Sequence, residues 1–313
     1  MKLTDIQTIS KKLSNTPSLE IQEKMKSLLL ELGYDPNNVY QELEMNSKYV
    51  DTHQDISYSN NHVQLHSHNF YELLYCRTTC NVEYLVGSQR YKLQKGDIIL
   101  IPPGVSHRPI LPEPLDQPYI RDILWLSEEF IDTMKHLNDS LFINNTNSIY
   151  LLRTLNTKYE YLGEYFHKGV IENDSKKYGY EMVILGNTIS LLTHLVRALS
   201  DRKSVSLKAE KPELFDEITD YIEHNYFNKI TLSDLTSKFY ISESTIHLLF
   251  KEKMNTTFYR YVTLRRLIEA KRLIGENIPL ENVANLVGYT DYSTFYRAFK
   301  HEYGISPRKY KNI

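Results

Sequence analysis

Ile278-Pro-Leu-Glu-Asn-Val-Ala-Asn-Leu-Val-Gly-Tyr-Thr290, followed by Asp291-Tyr-Ser-Thr-Phe-Tyr-Arg-Ala-Phe-Lys300, has the form of a short helix, a glycine turn and a second helix. The pattern occurs twice. Ile230-Thr-Leu-Ser-Asp-Leu-Thr-Ser-Lys-Phe-Tyr-Ile-Ser242, then Glu243-Ser-Thr-Ile-His-Leu-Leu-Phe-Lys251, repeats it at an offset of 48 that becomes 49 past the turn. A helix-turn-helix needs a second helix whose exposed first turns can enter a DNA major groove. In the second copy Gly288 supplies the turn, Thr290 is the expected cap, and Val283, Leu286, Phe295 and Phe299 are the expected core contacts. In the first, Ser242 is the cap and Ile246, Leu249 and Phe250 face inward. The periodicity between them predicts one longer helix over Thr256–Gly275, a rigid spacer that makes two readers into one bipartite reader.

The inward set fixes the outward one. Ser244, His247, Leu248 and Lys251 should face out of the first recognition helix, and Tyr292, Ser293, Tyr296, Arg297 and Lys300 out of the second. Arg297 is the strongest base reader, because a guanidinium can bond guanine O6 and N7 together, worth about 1 to 3 kcal/mol of discrimination. His247 is a weaker candidate of the same kind, and Leu248 offers only apolar contact, as to a thymine methyl. Lys300, Arg308 and Lys309 read as phosphate anchors, with Ser306-Pro307 opening the last helix. The plainer reading of each polar residue is a solvated helix face.

Residues 213–313 resemble the DNA-binding domain of the AraC/XylS family of bacterial transcription regulators. The resemblance rests on Gly288-Tyr-Thr-Asp-Tyr-Ser-Thr-Phe-Tyr-Arg-Ala-Phe-Lys-His-Glu-Tyr-Gly-Ile-Ser-Pro-Arg-Lys-Tyr310 and on the linker-helix residues Leu264-Arg265 and Ala270-Lys271-Arg272-Leu273. It implies a seven-helix unit with its two recognition helices in successive major grooves. Members of the family commonly have a basic residue where this chain has Leu248.

The 313 residues suffice for two or three compact units. The net charge of −2 hides an asymmetry: residues 1–201 sum to −6 and residues 202–313 to +4, as for a DNA module attached to an acidic body. Two cysteines, Cys76 and Cys80, make no disulfide framework and match no common zinc spacing, which points to a reducing compartment. The N-terminus lacks the apolar core of a signal peptide, and no stretch reads as bilayer-spanning, so a soluble, cytoplasmic protein without membrane association is expected. Residues 1–33 have helical periodicity. Short β-rich runs follow at Val63–His68, Tyr71–Cys76, Val82–Val86, Arg90–Leu93, Asp97–Ile101 and Ile120–Leu126, spaced as in a small barrel or sandwich. Helices are expected over Glu128–Leu137, Ile149–His167 and Lys176–Leu199. The last carries more apolar residues than one face needs, a candidate dimer surface or a face packed on the barrel.

Within the β-rich region, His66, His68 and Glu72 share parity on one extended run, and His107 follows a Gly/Pro turn. This set matches the metal-ligand pattern of cupins, and the region resembles the cupin barrels that head many AraC/XylS regulators. Such residues suit a divalent transition metal, or hydrogen bonds to a small ligand beside Tyr84 and Trp125. The ligand role is preferred, with no metal, cofactor or catalytic residue assigned.

The expected architecture is therefore α+β and multidomain. A helical N-terminal extension over 1–48 precedes a cupin-like ligand-sensing barrel over 49–126. A helical dimerisation segment and linker over 127–205 lead to an all-α AraC-type domain with two helix-turn-helix motifs over 206–313. What the resemblance implies is a non-enzymatic, ligand-responsive regulator binding promoter half-sites of double-stranded DNA as a homodimer. The leading role is activator of a carbohydrate or other small-metabolite operon, with a sugar as leading effector class and RNA polymerase as partner of an activator. The rival is a metal-dependent cupin enzyme fused to a DNA-binding module.

Overall fold

The structure, a computed structural model, describes residues 45–57, 65–79, 82–112, 115–137, 150–201, 213–254 and 256–311, with residues 20, 24, 27, 28 and 31. Most of the expected 1–48 extension, the linker residues 202–212 and Cys80 lie outside the described residues.

Among the described residues, eight strands form two antiparallel sheets: β1 (Val50–Ser57), β2 (Tyr71–Cys76), β3 (Val82–Val86), β4 (Gln89–Leu93), β5 (Asp97–Ile101), β6 (His107–Ile110), β7 (Tyr119–Leu126) and β8 (Tyr150–Arg153). One sheet has the order β1-β7-β2-β5-β8 and the other β4-β3-β6. Period-two alternation explains how the sheets stack. On β2, Tyr71, Leu73 and Tyr75 point to one side and Leu74 and Cys76 to the other. The second set meets Val82, Tyr84 and Val86 of β3, making an apolar interior between the sheets. The first set packs under helices α1 (Glu128–Leu137), α2 (Leu162–Ser175) and α3 (Tyr180–Ser200).

Seven helices follow: α4 (Leu214–Asn225), α5 (Leu232–Phe239), α6 (Glu243–Met254), α7 (Phe258–Gly275), α8 (Leu280–Leu286), α9 (Tyr292–Tyr303) and α10 (Pro307–Lys311). They form two cores joined by α7. The first surrounds Phe215, Ile246, Phe250 and Phe258, and the second surrounds Leu267, Val283, Phe295 and Phe299. Ion pairs tie α7 to both sides, Arg265 to Glu223 on α4 and Arg260 to Glu302 on α9. The first core also contains Leu65, Leu85 and Ile110 from the β-rich half. The molecule is thus layered as helices, five-stranded sheet, three-stranded sheet and first helix-turn-helix.

Several expectations need correction. The sheets do not close into a barrel; they face each other as an open sandwich. Of Val63–His68, the described residues contribute one isolated bridge, His66 to His107. The helix expected from Ile149 is strand β8 instead, and α2 begins only at Leu162. Leu151 faces the other sheet and Leu152 the helices, an apolar pair that fits either periodicity, while Arg153 is anchored to Asp97 at 3.0 Å. The cap of α9 is Asp291, not Thr290: its carboxylate accepts the Thr294 N–H at 2.7 Å, which a charged acceptor does better than a hydroxyl. Among the described residues one helix, α3, is long and apolar enough to cross a membrane by length and composition. Its Ile184, Leu191, Leu192, Leu195 and Ala198 are buried with the five-stranded sheet, while Met182 and Val183 are exposed.

The two turns of the repeat reach the same backbone state by different residues. Gly288 has φ +87° and Tyr240, 48 positions earlier, has φ +55°. Only at Gly288 does the surrounding chain close in: an added Cβ would lie 2.6 Å from the Phe227 carbonyl oxygen. Gly288→Ala should therefore lower stability by more than about 1 kcal/mol, because strain and a backbone clash add. Chemical denaturation of the full chain checks this, and an unchanged midpoint would refute the close approach.

Candidate functional site

Three buried groups meet between the sheets. Glu72 lies on β2, His68 just before it, and His107 at the start of β6, where mutual N–H···O=C bonds of 3.2 and 2.9 Å bridge it to His66. The ligand-bearing atoms of His68, Glu72 and His107 all lie within 4.8 Å of one another. His66 is half-buried beside them, its ring 4.3 Å from that of His107 and 6.2 Å from that of His68. The four residues singled out in sequence thus come together, three as a tight cluster and His66 at its margin.

Hydrogen bonds fix what these groups present. His68 Nδ1 lies 2.8 Å from the Phe70 carbonyl and His107 Nδ1 2.9 Å from that of Val105. A carbonyl only accepts, so each Nδ1 carries a proton and each Nε2 turns into the cluster. Both Nε2 atoms are buried without a hydrogen-bond partner. They face a carboxylate: His68 Nε2 is 3.3 Å from Glu72 Oε2 and His107 Nε2 4.0 Å from Oε1. The Trp125 indole, opposite Glu72 on β7, donates to Oε2 at 3.0 Å. Phe70 stacks on the His68 ring at 4.0 Å and holds its plane.

Burial pushes His107 well below the ordinary imidazole range, and neighbouring His66 pushes the same way, so it is neutral. Burial also opposes charge on Glu72. Its close contact with His68 and the neighbouring His107 and His66 outweigh it, holding the carboxyl below the usual carboxylate range. The His107 Nε2 lone pair and the Glu72 carboxylate therefore converge beside His68 Nε2 and one indole proton, an acceptor-rich pocket that favours a hydrogen-bond-donating ligand or a cation. The cupin pattern implies a divalent metal, and the donor set fits one. Two imidazole Nε2 atoms and a carboxylate are suitable ligands, and Nδ1–H bonded to a backbone carbonyl is how ligating histidines are usually oriented. His68, Glu72 and His107 would hold such an ion, and it would supply positive charge at their centre.

Sequence reading missed a second polar group alongside. His53 on β1 packs its ring against Trp125 at 4.7 Å, with Nε2 3.5 Å from Asp55. Arg121 on β7 donates to Asp55 at 2.9 Å and to Ser57 at 2.9 Å, and lies over the Tyr119 ring. Because the inward residues of β1 are polar, it has no hydrophobic alternation to betray it. The available signal was the shared parity of His53, Asp55 and Ser57.

On the helical side, Ser244, His247, Leu248 and Lys251 are exposed on α6, with Leu248 at 55 %, while Ile246 and Phe250 are buried. Ser242 caps α6 by accepting the Thr245 N–H at 3.1 Å. On α9, Ser293, Arg297 and Lys300 are exposed, as are Arg308 and Lys309 on α10. Tyr292 and Tyr296 are only half-exposed, because Tyr292 packs on the second core and its ring lies 6.3 Å from that of Tyr296. The Arg297 guanidinium lies along its own helix, 3.4 Å from the Ser293 carbonyl and 3.5 Å from the Thr294 hydroxyl, contacts weak enough to exchange for a base. A further exposed aromatic, Tyr240 at 93 %, stands at the turn before α6.

Residues 52–119 match the family model described as an AraC-like ligand binding domain, and residues 235–313 match that described as a helix-turn-helix domain. These two matches show an AraC-like ligand binding domain followed by a helix-turn-helix domain, the pair of domains found in AraC-type regulators. It is similar to a probable transcriptional regulator, LumQ, of Photobacterium leiognathi: 36 % identical over 128 residues, 41 % of this chain and 50 % of the relative. It is also similar to the raffinose operon transcriptional regulatory protein RafR of Pediococcus pentosaceus, 34 % identical over 130 residues, 41 % of this chain and 47 % of the relative. Among solved structures, the C-terminal domain of the two-component response regulator yesN from Fusobacterium nucleatum is 30 % identical. That match covers 31 % of this chain and 95 % of that chain, with a TM-score of 0.30. The chain spans about half the length of the curated relatives it matches.

The buried histidines give stability a pH dependence of known sign. Burial lowers the folded-state pKa of both His53 and His107. The unfolded chain then binds more protons, so stability is full above the unfolded imidazole value of about 6.5 and declines as pH falls below it. Urea titrations across this range should show the decline, and His107→Gln should reduce its slope. A stability independent of pH there, in both proteins, would contradict neutral burial.

Proposed function

We propose that the chain is an effector-responsive transcription regulator, with its effector held at the acceptor cluster and its promoter half-sites read by α6 and α9. The carrying observation is the pair of recognition helices with exposed polar faces, held at a fixed separation by α7 and attached to a domain of ligand-binding family. The sensor is 49–126, the dimerisation segment and linker 127–205, and the DNA unit 206–313. Two copies associate through the helical segment, where Met182 and Val183 at the start of α3 stay exposed. The effector is a carbohydrate or a related polar metabolite: hydroxyl groups donate to His107 Nε2 and to Glu72, and Trp125 and Tyr84 offer ring faces. The name of the raffinose operon relative supports this class. As an activator, the regulator would also contact RNA polymerase.

A second reading of the cluster rests on its fixed tautomers. Three donors converging with lone pairs first suit a divalent metal, bound for sensing or structure and without turnover. Titration of the metal-free full chain with Co2+ should distinguish the readings: visible absorption from nitrogen-coordinated cobalt, lost in His68→Ala, supports the metal. A flat titration leaves the cluster to an organic effector.

Base reading is tested by substitution on a duplex selected by the full chain. Arg297→Ala should weaken binding by about 1 to 3 kcal/mol and relax preference at one base step, whereas Lys309→Ala should weaken all sequences alike. Leu248→Ala should cost less than Arg297→Ala. Equal losses on selected and random duplex for Arg297→Ala would move Arg297 to the phosphate backbone.

A further inference from the structure

The two faces of the three-stranded sheet serve different halves of the molecule. Toward the sandwich interior it presents Val82, Tyr84 and Val86, with His107 directly opposite Val86. On the outer face Arg90, Leu85 and Arg108 stand in register across β4, β3 and β6. This row meets the first reader. Leu85 is buried in its core with Phe215 and Ile218 of α4. Arg90, buried, bonds Glu83 at 2.6 Å within the sheet and reaches Glu213 at 2.8 Å and Asp216 at 3.2 Å, the two ends of the α4 capping box. Ser88 donates to Asp220 on the same helix at 2.8 Å.

Arg108 is the more telling residue. It is 2 % exposed, and its Nη1 donates at 2.9 Å to the carbonyl of Met254, the last residue of recognition helix α6. Its Nε bonds the neighbouring Pro109 carbonyl at 3.1 Å. Burial pushes its pKa down to about 10, a desolvation cost that no carboxylate among the described residues offsets. A helix C-terminus, with its partial negative charge, is a favourable partner. Apolar packing such as that of Leu85 tolerates sliding, whereas a bond to one terminal carbonyl fixes where the helix ends. His107 and Arg108 are consecutive on one strand, so the cluster and the helix anchor lie on opposite faces of a single peptide unit. Among the described residues, the core of the second reader contains none from the β-rich half.

We propose that Arg108 and Arg90 are positioning residues for the first DNA reader, and that β4-β3-β6 transmits changes at the His68–Glu72–His107 cluster to α6. The proposal rests on the reading of that cluster as the effector site and names the route by which it acts. Occupation that draws on His107 displaces β6, and with it Arg108 and the end of α6. The first recognition helix then shifts relative to the second, so that both can or cannot enter successive grooves.

The test uses the full chain and needs no identified effector, since His68→Ala perturbs the cluster from the other face. Amide hydrogen exchange is followed in α6 and α9 of the parent, Arg108→Gln, His68→Ala and the double variant. Affinity is measured for a duplex selected from random sequence by the parent chain. Arg108→Gln should speed exchange in the last turn of α6 while leaving α9 unchanged, and Arg108→Lys should restore part of the protection. Affinity should change by about fivefold or more, at the bases nearest the first helix. His68→Ala should alter α6 exchange alone but not in the Arg108→Gln background. Additive effects, unaltered α6 exchange, or altered exchange with unchanged DNA affinity would each overturn the proposal. Arg90→Gln provides the same test at the second anchor if Arg108→Gln does not fold. Failure of the parent to select any duplex would instead refute the DNA-reading function, and the exchange experiment would still decide the contact.

Discussion

On β3, Val82, Tyr84 and Val86 turn toward the other sheet while Leu85 turns toward helix α4, and this two-residue alternation governs the rest of the molecule. Among the described residues the sheet has three strands, and each contributes to both surfaces at once. One surface closes over the polar cluster, and the other forms part of the first reader's core. Without that docking, Leu65, Leu85 and Ile110 would expose apolar area, and Arg90 would lose its carboxylate partners on α4. The DNA unit is therefore joined to the sensor by burial as well as by the chain.

The cluster obeys the rule that buried polar groups seek partners. Its framework satisfies the outer nitrogens of His68 and His107 with carbonyls and one carboxylate oxygen of Glu72 with an indole proton. What remains is the His107 Nε2 lone pair and the Glu72 carboxylate, with His68 Nε2 beside them. That choice of tautomer selects the chemistry of any occupant: groups that donate hydrogen bonds, or a cation, match the site, and anions are repelled by Glu72. The adjoining Arg121–Asp55 pair is internally matched and makes no such demand.

The helical half was legible in the sequence because its signals are local. The repeat, the Ser242 cap and the inward residues of both recognition helices depend on spacing within a few turns, and the structure places them as read. Where a local signal had two candidates, the stronger acceptor won, moving the α9 cap from Thr290 to Asp291. The β-rich half was read less well. His66, His68, Glu72 and His107 were found by parity and motif, but β1 was missed because its inward residues are polar. Strand β8 was mistaken for helix because two apolar residues in four fit both periods. Sheet closure and the docking of Arg108 on Met254, 146 positions away, depend on contacts that no local spacing encodes.

The central claim is that α6 and α9 are a single bipartite reader held in register by α7 and the docked sheet. Selecting duplexes from random sequence with the full chain, then sequencing the bound fraction, tests it most directly. The account predicts two enriched segments with centres separated by one helical turn, about 10 to 10.5 base pairs, with the stronger information under the Arg297 helix. A single uninterrupted short motif, or no enrichment over the input, would contradict it.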